Sequence, residues 1–294
     1  MRRLAVAALA AATLLATGCA DDQTDPVPAE PESCGTGATK SFLVSTLAFT
    51  RVDPMTGTAP GFDVDGVVSE GEDAGSCFKE DFVGPDGEAG VDNQIAVFVP
   101  ELEAILGDAV DGLVQGAINN GDLLIVLNAQ GVDSLENDDC VDVTVHTAMG
   151  KPTLGTDGVI EAYQTFDRDP EGEISVATGG KIEDGELTVG PFELAIPIAI
   201  FDVAFTIHVH DALVRLTVSA DDAALKKGVL GGGIVPDEVI DGVDDGAGVD
   251  QYTPILSVVL HQSADLAPDA EGTCTQVSGA FQISAVEAFV RPDE

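Results

Sequence analysis

The chain has 294 residues, 45% of them hydrophobic, and carries 52 acidic against 12 basic side chains for a formal charge of −40. A surface that acidic repels nucleic acid and bare anionic lipid, which leaves cations as its natural counterparts. With no tryptophan and two tyrosines, it also has few rings on which bases or sugars could stack.

Arg2 and Arg3 precede an apolar run from Leu4 to Leu15 that is short for a permanent bilayer span and reads as an export signal. The run closes on Ala16-Thr17-Gly18-Cys19, which resembles the bacterial lipobox, where small residues precede a cysteine that becomes diacylated and then begins the mature chain. The resemblance implies a signal peptide over 1–18 and a lipid on Cys19. Because Ala20 rather than aspartate follows, it points to the outer membrane. Residues 19–33, rich in Asp, Pro, Glu and Thr, bury too little apolar surface to fold and form a tether. Loss of Arg2 and Arg3 with the signal takes the charge from −40 to −42. Residues 34–294 then form a single acidic domain.

With Cys19 lipidated, Cys34, Cys77, Cys140 and Cys274 remain, an even number in an oxidising compartment, so two disulfides are expected. Three connectivities are possible; Cys77 with Cys140 and Cys34 with Cys274 is the preferred one, the second tying the domain's ends together. No C-x-x-C spacing suggests zinc on these thiols.

Along the domain, strands are expected at 41–50, 122–129, 141–145, 159–166, 186–196, 198–210, 213–219, 254–261 and 280–290, separated by Gly/Asp/Pro turns. Apolar residues at three- and four-residue spacing from Leu102 to Ile118, with Gly121 as a stop, predict one amphipathic helix. A short helix over 221–229 is expected to end in the flexible run Gly231-Gly232-Gly233. The fold class is mainly β: an antiparallel sandwich or open barrel with one amphipathic helix packed on it.

Two places could carry chemistry. The first is the segment from Asp63 to Asn93, dense in carboxylates on glycine turns, where Asp63, Asp65, Asp86, Asp92 and Asn93 can supply the oxygens that calcium requires. Asp63-Val64-Asp65-Gly66 and Pro85-Asp86-Gly87 resemble the aspartate-rich calcium loops of thrombospondin type 3 repeats and dockerins, and the resemblance implies calcium as cofactor. The EF-hand pattern is departed from, since twelve residues counted from Asp63 end on Ala74 rather than glutamate. The second place is His208-Val209-His210, two imidazoles on one strand face, with His261, His146 or Asp211 as a third ligand.

There is no G-x-S-x-G, Rossmann, P-loop or H-E-x-x-H signature. The leading expectation is a non-enzymatic exported lipoprotein, a structural or binding module of the cell envelope stabilised by calcium. The alternatives are a metal-dependent hydrolase built on His208, His210 and His261 and a periplasmic carrier of an apolar ligand. Beyond the lipobox, the chain resembles uncharacterised exported envelope lipoproteins of bacteria.

Overall fold

A computed structural model describes residues 34–35, 37–72, 74–106, 110–200, 203–218, 226–244 and 253–291. The signal segment, Cys19 and the tether lie outside the described residues. Ten strands alternate with four helices among them: β1 (Ala38–Phe49), α1 (Ile95–Leu106), α2 (Val110–Asn120), β2 (Ile125–Val132), β3 (Asp138–Met149), β4 (Thr165–Arg168), β5 (Ile174–Glu183), β6 (Glu186–Ile200), β7 (Val203–Thr217), β8 (Lys226–Ile234), α3 (Pro236–Asp244), α4 (Thr253–Ser263), β9 (Leu266–Pro268) and β10 (Cys274–Arg291).

Eight of these strands close on themselves. The ring runs β1-β2-β3-β5-β6-β7-β8-β10 and back to β1, each neighbour antiparallel to the next. The short β4 and β9 attach outside the ring, β4 to β3 and β10, β9 to β10. This corrects the expectation of a sandwich or open barrel: the barrel is closed. The physical reason lies in β1, which pairs with β2 on one side and β10 on the other, so the first and last long strands seal the sheet and no ring strand is left with an open edge.

Alternation along the strands fills the interior. Leu187, Val189, Leu194, Ile196, Val214 and Leu216 are all at most 3% exposed, and each such aliphatic contributes about 1.5–3 kcal/mol relative to exposure. The apolar void left among Val44, Leu127, Val145, Leu194, Val214 and Ile283 is about 20 Å³, against roughly 300–1,000 Å³ for a small-molecule site. An apolar cargo would have to displace core side chains.

Helix α2 contacts both β1 and β6, which stand opposite each other in the ring, and so lies across one end of the barrel, while α3 packs on β7 and α4 on β10; the helices differ from the expected single one. The segment expected as one helix is two, α1 and α2, with Pro100 inside the first. The stretch 254–261, expected as a strand because its run of Ile, Leu and Val is β-like, is helix α4. Thr253-Pro254 supplies a start signal that outweighs side-chain propensity, and Leu256, Val259 and Leu260 turn one face to the core. The glycine run expected to be flexible is instead buried in β8, between β7 and β10. A Cβ on Gly232 would stand 2.6 Å from the His210 carbonyl oxygen, so only glycine allows this approach. Opposite it in register, Gly279 leaves room for Ile95 of α1.

The disulfides are Cys34–Cys140 and Cys77–Cys274, not the preferred pairing. Antiparallel pairing of β1 with β10, Ser41 opposite Ala288 and Phe49 opposite Phe281, puts Cys34 and Cys274 at opposite ends of the barrel. They cannot meet. Cys34 instead joins β3, two strands along, while Cys77 staples the acidic segment onto the start of β10.

Candidate metal centre

Between β1 and α1 the chain makes no regular strand, only single bridges: Phe62 with Asp92, Glu70 with Glu80, and Phe82 with Val91. These fold the acidic segment back on itself and bring Asp63, Asp65 and Asp92 together. One carboxylate oxygen from each lies within 4.8 Å of the others, the only such trio of His, Cys, Asp or Glu ligand atoms among the described residues.

The turn chemistry explains the convergence. Asp63 accepts from the Gly66 amide at 2.7 Å and Asp65 from Val67 at 2.8 Å, two overlapping side-chain turns that wind Asp63-Val64-Asp65-Gly66 into a tight arc. At the centre of the arc sits Asp92. Its Oδ2 accepts from the amides of Val64 at 2.7 Å and Asp65 at 3.3 Å, while its main chain pairs with Phe62. Asp92 is 2% exposed, yet its Oδ1 is buried with no hydrogen-bond partner.

Burial pushes the Asp92 carboxyl up to about 8, against the pull of the Val64 amide and with the charges of Asp65, Asp265 and Asp81 adding to the rise. Burial likewise raises Asp63 and Asp81. Without a cation, the crowding of acids is relieved near neutral pH by a proton held on Asp92 and returns as that proton is lost. A dication would satisfy the free Oδ1 and remove the repulsion, and oxygen-only donors on flexible turns suit calcium better than magnesium, which demands a tight octahedron.

Comparison with known protein families, with curated proteins and with solved structures finds no match to the chain.

Of the five residues expected to bind calcium, three meet. Asp86 stands apart on the exposed turn from Gly84 to Glu88. Asn93 is fully buried but committed elsewhere: its amide donates to Thr50 Oγ1 at 2.5 Å and Pro60 O at 2.7 Å, and its Oδ1 accepts from Ala96 N, capping α1. Two further carboxylates stand close to Asp92: Asp81, from the same dense acidic segment, and Asp265, which the sequence did not single out. Asp81 accepts from the Ser69 amide and neighbours the trio electrostatically. Asp265, 2% exposed and pushed by burial up to about 7, accepts from both the amide and hydroxyl of Ser278. Ser278 in turn accepts from the Gln94 amide, linking β10 to the residues that follow Asp92.

The histidines are arranged differently from the expected triad. His208 and His210 both face Glu238 of α3, whereas His261 pairs with Asp237 at 3.2 Å and bonds the Ser257 carbonyl through Nδ1. His146 is buried with both ring nitrogens occupied, by Asn128 and the Thr147 carbonyl. Asp211 is in the left-handed backbone region at φ 50°.

Proposed function

We propose that this protein is a non-enzymatic, exported module of the bacterial cell envelope, anchored by lipid on Cys19, whose acidic segment folds around a calcium ion held by Asp63, Asp65 and Asp92. One observation carries the calcium part: a fully buried carboxylate with an oxygen that nothing satisfies, placed among acids with exposed edges. Such an arrangement is costly alone and favourable around a dication. The expected triad of His208, His210 and His261 does not assemble: His208 and His210 face Glu238, whereas His261 pairs with Asp237.

The test is the melting temperature of the mature chain in calcium against magnesium at matched ionic strength, after chelator treatment. At about a hundredfold excess over Kd the native state gains roughly 2.7 kcal/mol, which for a domain of this size is a rise of roughly 5–10 °C. Magnesium should give much less, and Asp63→Asn with Asp65→Asn should abolish the calcium response. Equal effects of both cations, or an unchanged response in the double variant, would mean general screening of an acidic domain and no specific site.

A further inference from the structure

We propose that His208, His210 and Glu238 form a site for a divalent transition metal of the zinc class, with Glu193 orienting His210; this reading is independent of the calcium site. His208 and His210 project from the same face of β7, and Glu238 reaches them from the first turn of α3. The Glu238 carboxylate spans both rings, Oε2 at 3.1 Å from His208 Nδ1 and Oε1 at 3.8 Å from His210 Nε2.

The informative atom is His210 Nε2. The Nδ1 of the same ring is 2.7 Å from Glu193 Oε2, an oxygen that can only accept, so Nδ1 is the donor of that pair and Nε2 is the nitrogen left to bind a metal. That nitrogen is buried and has no hydrogen-bond partner. It faces Glu238 Oε1 across a gap too long for a hydrogen bond. A metal ion held between this nitrogen and that oxygen would give both a partner. Zinc–nitrogen and zinc–oxygen bonds of about 2.0–2.2 Å each can span that gap, and a carboxylate behind the other ring nitrogen is the usual support of a metal-bound imidazole.

His208 supplies the third ligand by a swing of its ring. Its nitrogen is not yet within 4.8 Å of both partners, since the aspartate trio alone meets that limit among the described residues. The side chain is 42% exposed, and its other nitrogen lies 3.8 Å from Glu173. Imidazole with one carboxylate selects zinc, copper or nickel over calcium and magnesium. The four domain cysteines are held in disulfides and cannot compete. His261, bound to Asp237, stays outside, so the centre is two histidines and one glutamate with positions left for water or a partner's side chain.

The experiment is a calorimetric zinc titration of the mature chain in saturating calcium, which occupies the aspartate site first. Wild type should bind one zinc. His210→Ala and His208→Gln should each weaken binding at least a hundredfold, and Glu193→Gln, which leaves all three ligands in place, by about ten- to a hundredfold. The exposed Glu271→Gln should leave it unchanged. Circular dichroism of each variant separates lost binding from lost fold, and the two histidine variants report on the same centre independently. No zinc binding by wild type, or affinities within threefold of wild type in both histidine variants, would overturn the proposal and assign any bound zinc to surface carboxylates.

Discussion

Replacing Asp92 by asparagine should stabilise the calcium-free protein while abolishing its response to calcium. Asparagine keeps a carbonyl oxygen for the Val64 and Asp65 amides, and its NH2 group, in place of the unpartnered Oδ1, can donate to Asp63 or Asp65. The magnitude follows from linkage. Burial raises the Asp92 carboxyl from 3.8 to about 8, so between those values the native state holds a proton that the unfolded chain has released. Stability contributed by that proton is complete below 3.8, falls as pH rises, and is lost by about 8. At pH 7 roughly three units of the window have been crossed, at about 1.4 kcal/mol each, a penalty of about 4 kcal/mol that Asp92→Asn removes. Urea denaturation in chelator from pH 4 to 9 measures it, as the difference in slope between wild type and variant. Asp265 acts with the same sign between 3.8 and about 7, but it is present in both proteins and largely cancels. Parallel stability curves across this range would refute the account of Asp92, as would calcium stabilising the variant as strongly as the wild type.

Two further outcomes are expected. Cys34→Ser with Cys140→Ser should lower stability by about 2–5 kcal/mol, since that bridge closes a separation of 106 residues, and mapping of non-reduced peptides should recover the Cys34–Cys140 and Cys77–Cys274 pairs and no others. Cys19→Ser should leave unprocessed precursor without lipid, read by mass spectrometry of the membrane fraction; efficient maturation of the variant would end the lipoprotein reading.

The sequence was legible where the pattern is local. Val141, Val143 and Val145 alternate with polar residues, and β3 was readable for that reason, although Asp142 and His146 between and beside them are buried as well. β10 is harder: Val277 to Phe281 is buried throughout, because helix α1 covers what would otherwise be its wet face. β8 was opaque because its glycines carry no hydropathy signal, and their need for close approach exists only once β7 and β10 flank them. Closure itself leaves no local trace, being a pairing between residues about 250 positions apart, such as Ser41 and Ala288. At the site, Asp63 and Asp65 announce themselves by the turn that Gly66 completes. Asn93 could have been recognised as a helix cap, since it directly precedes the apolar run from Ile95. Asp265 carries no local signal, because the Cys77–Cys274 bridge and β10 create its neighbourhood.

The barrel also decides where chemistry can occur. Its interior is packed, so any ligand must be met on the rims and outer surface, and the register shows which rim. Thr50 leaves β1 beside Ala280 of β10, and one step along β10 Ser278 faces Gly233, which in turn faces His210. Ser278 is also the residue that binds Asp265 and the Gln94 amide, two positions from Asp92. The aspartate cluster and the histidine pair are therefore joined through a single cross-barrel row, at the end where β1 finishes and β10 begins. The chain enters β1 from Cys34 at the other end, next to Cys140 on β3. Both candidate ion sites are thus separated from Cys34 by the length of β1, twelve residues of a strand that rises about 3.3 Å per residue. The closed, filled interior keeps these two ends of the barrel in fixed register.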